Sequence, residues 1–400
     1  MKVLIVNKFL YPNGGSETYI FKLGEELLRQ GCEVEYFGME DSRNIVGNSA
    51  GAYTSNMDFH SGRLSKLLYP FKIIYSAEAR RAIRRELDLF KPDAVHLNNF
   101  NFQLTPSIIY EIRKYERQTG HRVRIIFTAH DYQLICPNHM LRCPREDCNC
   151  EKCLSKKNGA YINCIKGRCI HGSVLKSFLG ALEGRIYRML GTYRQIDAVV
   201  CPSAFMKTML DRHPDLEGRT IFLQNFSIVD INEVSATDDI NTENAPYAIY
   251  FGRYSKEKGV ETLLEACQGM PKRRFIFAGA GPLEEKVNSV SNIKNMGFLT
   301  HDELKPLVEG AVFSVLPSEW YENCPFSVME SVCAHTPVIG AAIGGIPELV
   351  KDGISGKIFE SGNADALKAA MEELFERPIR VTACEYRTVA EYTKEIMKLY

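Results

Sequence analysis

Short apolar runs alternate with amphipathic segments along most of the chain. Runs such as 1–7, 123–132, 247–251 and 312–316 are strand-like, and each leads into a polar or glycine-containing loop. Segments with apolar residues three or four positions apart, such as 18–29, separate these runs and are typical of helices. Strands that alternate with helices predict a parallel α/β sheet with helices packed on it.

The pattern predicts two such sheets. A polar, aperiodic stretch at 232–245 interrupts it, as a surface linker does, and the strand pattern restarts afterwards. The 400 residues also exceed what one hydrophobic core usually supports. We therefore predict a first domain at 1–228 with a cysteine-rich insertion near 136–172, a second domain at 246–384, and a terminal helix in 385–400.

Composition and charge change this picture only in part. With 45% hydrophobic and 24% charged residues, no run of 18 apolar residues and no leader-like segment, the chain is expected to be cytoplasmic. The net charge is zero, but residues 1–195 hold 29 Lys and Arg against 19 Asp and Glu, and residues 196–400 hold 20 against 30. The basic half favours an anionic membrane surface or an anionic acceptor, and a solvated surface without a partner is the alternative.

Residues 61–91 interleave basic and apolar side chains on one amphipathic stretch. This composition suits anionic lipid headgroups, and it predicts a protein that is peripheral on the inner face of a membrane. A helix with one buried and one solvated face explains the same pattern equally well.

The densest candidate chemistry follows the apolar run 312–316. Pro325 suits the first turn of a helix, because its missing N–H would be unpaired there, and an apolar face follows it. Glu322 then lies in the loop before this helix and Glu330 inside it, both near an N-terminus that favours an anion. Carboxylates that accept sugar hydroxyls around a phosphate pocket indicate a nucleotide-sugar site.

The spacing of these two glutamates resembles the donor-site signature of the family-four retaining glycosyltransferases. The segments Thr336–Ile339 and Gly344–Glu348 extend the resemblance, although the family usually has Glu-Gly-Phe-Gly where this chain has Glu-Asn-Cys-Pro. The resemblance implies a GT-B fold, with two Rossmann-like domains facing a cleft. It places the acceptor on the first domain and the donor mainly on the second, and its terminal helix crosses back to the first domain.

The same resemblance implies roles for individual residues. Glu322 would hold donor-sugar hydroxyls and Glu330 the ribose, while Arg253 and Lys258 would bind the diphosphate, and His130 would face the sugar from the opposite domain. The remaining expected donor-binding positions are Gly14, Gly15, Gly252, Gly281, Phe298, Asn323, Cys324, Pro325 and Phe326. Without the resemblance, the two cations would be surface charges, the glycine pair a plain turn, and the histidine a structural residue.

The expected reaction moves a sugar from a nucleotide-diphosphate sugar to the hydroxyl of a glycan or lipid-linked acceptor, with retention, in polysaccharide or lipid-linked glycan synthesis. The chain has no Asp-x-Asp, so no cofactor or metal is expected in catalysis, and its partners include no nucleic acid. A P-loop and a Gly-x-Gly-x-x-Gly after the first strand are also missing. A sugar-nucleotide epimerase or hydrolase of the same fold, or a non-catalytic binding scaffold, remains an alternative.

Seven of the 13 cysteines lie between Cys136 and Cys169, within the insertion. Cys150-x-x-Cys153 and Cys164-x4-Cys169 offer two close pairs of thiolates, and the polar segment is expected to have no core of its own. We therefore predict a structural zinc at these four residues. Alternative ligands are Cys136, His139, Cys143, Cys148 and His171. Disulfides or free thiols are the competing interpretations, and a cytosolic setting disfavours the former.

Overall fold

The computed structural model describes residues 1–55, 74–154, 161–228 and 245–400. The chain forms two compact units, Met1–Gln224 together with Val389–Tyr400, and Asn225–Thr388. Residues 225–228, which fall within the predicted first domain at 1–228, lie in the second unit. The predicted linker lies outside the described residues except for position 245.

The first unit is built from alternating strands and helices. Its strands are β1 (Lys2–Val6), β2 (Glu33–Phe37), β3 (Ala94–Leu97), β4 (Arg124–Thr128), β5 (Arg142–Cys143), β6 (Cys148–Asn149), β7 (Ala198–Cys201) and β8 (Thr220–Phe222). Its helices are α1 (Gly15–Arg29), α2 (Ala77–Phe90), α3 (Ser107–Thr119), α4 (Ile162–Gly167), α5 (Val174–Met189), a 3-10 helix (Thr192–Gln195), α6 (Ala204–Leu210) and α13 (Val389–Met397). Ser203 caps α6, because its Oγ accepts the Met206 N–H at 3.1 Å.

Six of these strands form a parallel sheet in the order β2-β1-β3-β4-β7-β8. The apolar run Val3–Val6 in β1 is fully buried, as expected for a strand covered on both faces of the sheet. The strand order reverses between β1 and β3. Ligands of open α/β sheets bind outside the carboxyl ends of the strands at such a point, where the loops beginning at Asn7 and Asn98 lie.

The cysteine insertion has a small core of its own, so the expectation that it lacks one is wrong. Cys153, Tyr161, Cys164 and Ala181 are buried together, and Ile165, Cys169 and Ile170 pack against them. The core was missed because it combines insertion residues with Ala181 on α5. Its apolar residues are too few and too irregularly spaced to show a period in the sequence.

The second unit repeats the strand and helix alternation. Its strands are β9 (Tyr247–Phe251), β10 (Arg274–Ala278), β11 (Ile293–Asn295), β12 (Phe313–Leu316), β13 (Val338–Ala341) and β14 (Gly356–Phe359). Its helices are a 3-10 helix (Lys256–Lys258), α7 (Val260–Gln268), α8 (Glu284–Asn288), α9 (His301–Glu309), α10 (Phe326–Cys333), α11 (Ile346–Leu349) and α12 (Ala364–Glu376).

The second sheet is also parallel, in the order β11-β10-β9-β12-β13-β14. Its order reverses between β9 and β12, which pair directly through Ala248 and Phe313. The loops that follow these two strands therefore start side by side. Consequently, residues after Phe251 and residues after Leu316 share one edge of the sheet although some 65 positions separate them in the chain.

A disulfide joins Cys333, the last residue of α10, to Cys384. No disulfide was predicted here, since the two cysteines lie outside the insertion and 51 positions apart. Among the described residues, no helix combines the length and the apolar composition needed to cross a membrane.

Candidate functional site

The loop from Pro317 to Pro325 carries the central predicted residues. Two glycines, Gly259 and Gly344, pack closely against its backbone. Gly259 has φ 70°, and a Cβ there would lie 1.8 Å from the Pro317 carbonyl oxygen. Gly344 has φ 58°, and a Cβ there would lie 2.2 Å from the carbonyl oxygen of Glu322. A side chain at either position would displace the loop, because both the backbone conformation and the space require glycine.

Glu322 and Lys258 form an ion pair in this loop. Lys258 Nζ lies 2.6 Å from Glu322 Oε1, and Ser318 Oγ donates to the same oxygen at 2.6 Å. The Glu322 side chain is only 7% exposed and that of Lys258 27%. Burial alone would raise the pKa of Glu322, but the charge and hydrogen bond of Lys258 and the bond from Ser318 outweigh it, so the pKa is lowered. Glu322 is therefore ionised at neutral pH.

Three neighbours of this pair, Ser318, Glu319 and Trp320, were not predicted to take part in the site. Besides Ser318, Trp320 places its ring 5.0 Å from Lys258 Nζ, a cation–π contact that limits where the ammonium can go. Glu319 accepts a hydrogen bond from Thr262 Oγ1 at 2.6 Å and so fixes the loop to α7. The sequence did offer one sign of these contacts, because Trp320 is the chain's single tryptophan and lies two positions before Glu322.

The other predicted cation, Arg253, lies in the exposed loop after β9. Its carbonyl oxygen accepts a hydrogen bond from Tyr250 Oη at 2.8 Å, which fixes the backbone. The residue itself is exposed to solvent. Gly252 precedes it, and Gly281 lies in the loop after β10. These loops all follow carboxyl ends of strands at or next to the point where the sheet order reverses.

The predicted helix after the loop is confirmed, since α10 begins at Phe326 with Pro325 as its N-cap residue. Asn323 is half-buried in the preceding loop, and Cys324 is buried there as a free thiol. The ring of Phe326 packs 6.1 Å from that of Phe226. Cys324 is thus enclosed by protein, whereas Asn323, Pro325 and Phe326 are partly exposed. Their donor-binding roles stay predictions.

Glu330 lies inside α10, as predicted, and lines a small cleft with Phe251, His301, Leu304 and Lys305. Its Oε1 is 4.0 Å from His301 Nδ1. Burial raises the pKa of Glu330 to about 7, so this carboxyl is close to half-protonated at neutral pH.

Phe298 stands apart from the residues above. It follows β11 and is 82% exposed, the highest exposed fraction among the large apolar side chains described. A single exposed aromatic ring is common on protein surfaces, and this one lies at the carboxyl edge of the sheet, where ligands of open α/β sheets bind.

In the first unit, the glycine loop leads into α1, with Gly14 as its N-cap and Gly15 as its first residue, three positions earlier than predicted. Below the loop, the buried carboxylate of Glu17 accepts hydrogen bonds from Asn7 Nδ2 at 2.8 Å and Ser16 Oγ at 2.9 Å. No role was predicted for Glu17, and the structure shows that it ties the loop to the end of β1.

His130 lies two residues beyond β4 and bonds through Nε2 to Asn98 Oδ1 at 2.8 Å. The amide of Asn98 is oriented by its Nδ2, which donates to the carbonyl oxygens of Val6 and His96. Because Oδ1 can only accept, Nε2 of His130 carries the proton and Nδ1 keeps its lone pair. Burial lowers the pKa of His130 to about 3, so the ring is neutral.

The predicted zinc residues all lie in the insertion. Cys153 and Cys164 are buried, and Cys150 and Cys169 are half-buried. A hydrogen bond with Cys164 lowers the pKa of Cys169, and Gly167 would bring a Cβ within 3.0 Å of the sulfurs of both Cys169 and Cys143. Within the described ranges, no group of three or more His, Cys, Asp or Glu side chains could hold a metal ion as it stands. The zinc site stays a prediction.

The structure thus brings Glu322 and Lys258 together, and it places Arg253, Gly252 and Gly281 in loops along the same sheet edge. Comparison with known proteins assigns this arrangement to a family. The profile described as Glycosyltransferase Family 4 matches residues 13–221, and that of Glycosyl transferases group 1 matches residues 236–393. The chain belongs to Glycosyltransferase Family 4.

Three curated relatives of this family-four chain are informative. An uncharacterised glycosyltransferase of Methanocaldococcus jannaschii is 27% identical over 238 residues, which cover 58% of this chain and 63% of that protein. An uncharacterised 42.6 kDa protein in the cps region of Klebsiella pneumoniae is 24% identical over 370 residues, 87% of each chain. A putative colanic acid biosynthesis glycosyltransferase of Salmonella typhimurium is 29% identical over 141 residues, 31% of this chain and 35% of that protein. The chain thus spans less than two thirds of the first and third of these relatives.

Among solved structures, Anabaena HepE in complex with UDP and glucose is 16% identical and has a TM-score of 0.66. The match covers 100% of the family-four chain and 98% of HepE. Together with the two parallel sheets, this likeness shows that the chain has the GT-B fold, with two Rossmann-like units.

Proposed function

We propose that this glycosyltransferase moves a sugar from a nucleotide-diphosphate sugar to an acceptor hydroxyl, with retention at the anomeric carbon and without a catalytic metal. The observation that carries the proposal is the buried ion pair of Glu322 and Lys258. It forms in the loops that follow the adjacent strands β9 and β12. An ionised carboxylate beside a cation offers an acceptor for sugar hydroxyls and a positive charge for phosphate within a few ångströms.

The cations act on the leaving group. As the bond between the sugar and the diphosphate breaks, negative charge develops on the phosphate, and Lys258 and Arg253 stabilise it in place of a metal ion. The acceptor oxygen attacks the same face of the sugar, its proton passes to the departing phosphate, and the products are a glycoside and a nucleoside diphosphate. No residue needs to form a covalent bond to the sugar.

The remaining predicted residues orient the donor. Oε1 of Glu322 is already held by two donors, so a sugar hydroxyl binds Oε2. Glu330 accepts ribose hydroxyls in its ionised form, and the ring of Phe298 stacks on the base. Nδ1 of His130 accepts a hydrogen bond from a sugar hydroxyl. Its lone pair is available for this bond at neutral pH, because the pKa of the ring is lowered to about 3. The glycine loop at Gly14 and Gly15 permits close backbone approach.

For the donor we propose a uridine diphosphate sugar, since HepE of the same fold binds UDP and glucose. For the acceptor we propose a lipid-linked glycan in cell-surface polysaccharide synthesis, supported by the relative named for colanic acid biosynthesis. Arg81 and Arg85, exposed one turn apart on α2, suit the anionic headgroups around such an acceptor. The basic stretch before position 74 lies outside the described residues.

Product analysis tests the reaction. Wild-type protein and the Glu322→Gln variant are incubated with UDP sugars radiolabelled in the sugar, with and without lipid-linked acceptors in anionic vesicles. We expect wild-type protein to place label in the acceptor with the anomeric configuration of the donor, and Glu322→Gln to do so at least tenfold more slowly. Free labelled sugar in amounts independent of acceptor would indicate a hydrolase, and an isomerised nucleotide sugar would indicate an epimerase. Binding without any turnover of the panel would favour the non-catalytic scaffold.

A further inference from the structure

We infer that Tyr19 and Tyr392 are positioning residues that set the ring of His130 through a buried chain of hydroxyl groups. The inference rests on the proposed function, because it assigns His130 a part in holding the sugar. Its basis is geometric. Tyr19 is the ring against which His130 packs, with centroids 4.8 Å apart and planes at 67°.

The hydroxyl chain runs from α1 to the last helix of the same unit. Tyr19 Oη lies 3.1 Å from Thr128 Oγ1, at the end of β4, and 2.8 Å from Tyr392 Oη on α13. Thr128 Oγ1 lies 2.7 Å from His96 Nε2, and His96 Nδ1 lies 2.5 Å from Tyr400 Oη. Strands β3 and β4, helix α1 and the final segment are thereby joined by one set of bonds.

Every group in the chain is neutral and has a partner it needs. Burial raises the pKa of Tyr19 and of Tyr392 above the ordinary value, and burial lowers that of His96 to about 3. Tyr19, Thr128, His96 and Tyr392 are all fully buried, so removing one hydroxyl from the chain costs its neighbour a hydrogen bond that water cannot replace. The chain is consequently rigid, and it resists rotation of the Tyr19 ring.

His130 is held from two sides by this arrangement. Asn98 fixes its Nε2 edge, and the Tyr19 ring, whose hydroxyl end is bonded to Thr128 and Tyr392, fixes its face. Loss of the Tyr392 hydroxyl frees one of the two bonds that orient Tyr19. The His130 ring then samples more orientations, and its Nδ1 spends less time where a sugar hydroxyl can reach it.

The test is a double-mutant cycle with Tyr392→Phe, His130→Ala and the two combined. Tyr187→Phe is the matched control, since Tyr187 is equally buried in the same unit and its hydroxyl donates to the Ile74 carbonyl oxygen, away from the chain. We expect Tyr392→Phe to lower kcat about tenfold with KM for the UDP sugar nearly unchanged. In the His130→Ala background the same change should have no further effect on kcat.

Two kinetic results would overturn the inference. One is an effect of Tyr392→Phe on kcat that equals that of Tyr187→Phe, and the other is an effect that persists in full without His130. A readout independent of turnover is the imidazole ¹⁵N spectrum of His130, assigned with the His130→Ala variant. Tyr19→Phe and Tyr392→Phe should broaden or shift its Nε2–H signal, whereas Tyr187→Phe should not. Unchanged spectra would refute the positioning role even if no donor were turned over, and changed spectra with no turnover would refute the proposed reaction alone.

Discussion

Nζ of Lys258 lies 2.6 Å from Oε1 of Glu322, and both side chains are largely withdrawn from solvent. An ion pair at the surface contributes little, but truncating one partner of a buried pair leaves an uncompensated charge. The charged state of each residue is therefore stabilised by the other, and a variant that removes one charge tests the contribution of the pair.

The first prediction concerns the carboxylate. Glu322→Gln keeps the size of the side chain but removes its charge and replaces Oε2 with a donor, so the sugar hydroxyl loses its acceptor. We expect kcat/KM to fall at least tenfold, which corresponds to about 1.4 kcal/mol of transition-state stabilisation. Glu319→Gln, in the same loop but bonded to Thr262, is the control, and thermal denaturation checks both folds. Near-wild-type transfer by Glu322→Gln would remove this residue from the site.

The second prediction concerns the leaving group. Lys258→Met retains the apolar stem against Trp320 but lacks the ammonium, so the affinity for UDP should fall about tenfold or more in calorimetry. Lys286→Met, whose lysine pairs with Glu261 elsewhere in the unit, should bind UDP like the wild type. Transfer should be unaffected by EDTA. Activity lost to EDTA and restored by Mg²⁺ would contradict the metal-free mechanism.

The third prediction is a pH dependence at Glu330. Its pKa is raised to about 7 by burial, and only the ionised carboxyl accepts two ribose hydroxyls. Affinity for UDP should therefore fall as the pH drops from 8 to 6, about tenfold from this group. His301, Lys305 and Glu309 line the same cleft and are present in both proteins compared. Glu330→Gln is the reference, because it retains every other ionisation, including that of the phosphate. Parallel pH profiles for the two proteins would exclude a role for Glu330 ionisation.

The fourth prediction concerns stability. Glu183 on α5 is buried, its Oε1 has no hydrogen-bond partner, and burial raises its pKa to about 8. The folded state thus holds a proton that the unfolded chain releases near pH 4.5, so this group reduces stability as the pH rises from about 4.5 to about 8. Glu183→Gln is neutral throughout and should unfold at a higher temperature than the wild type at pH 8, with the difference shrinking toward pH 5. A difference that does not change with pH would show that Glu183 is ionised in the fold.

The fifth prediction keeps the zinc hypothesis open to measurement. If Cys150, Cys153, Cys164 and Cys169 bind zinc, elemental analysis of protein purified without chelator should give about one zinc per chain, lost on Cys150→Ser. Cys201→Ser, in β7 outside the insertion, should retain the metal. Binding would require the thiols to move together, since no three of them are arranged for a metal in the described part of the chain. Metal-free, fully active protein with all insertion thiols titratable would end the hypothesis.

Local features of the fold were predictable because burial leaves a period in the sequence. The run 312–316 became β12, and Pro325 marked the start of α10, so the loop position of Glu322 and the helical position of Glu330 followed from neighbouring residues alone. The cap at Ser203 is equally local, since its partner lies three residues away.

Pairings between distant residues were not predictable in this way. Lys258 meets Glu322 across 64 positions because β9 and β12 are adjacent in the sheet, and strand order leaves no period in either segment. Cys333 and Cys384 are joined across 51 positions, and Tyr19 meets Tyr392 across 373. The resemblance to a family gave Lys258 and Glu322 roles without giving their contact.

The composition of the first unit from two separate stretches of chain bears on how the protein is made. Residues 389–400 supply Tyr392 and Tyr400 to a unit whose other residues end at Gln224, and the whole second unit is encoded in between. During synthesis the second unit is therefore made before Tyr392 and Tyr400. Only then can Tyr19 and His96 form their hydrogen bonds to these two residues. A fragment that stops at Gln224 would leave Tyr19 Oη without its bond to Tyr392 and His96 Nδ1 without its bond to Tyr400, so dividing the gene at the boundary between the units would yield a less stable amino-terminal piece. A circular permutant that begins at Asn225 and joins Tyr400 to Met1 through a flexible linker would instead keep the first unit contiguous.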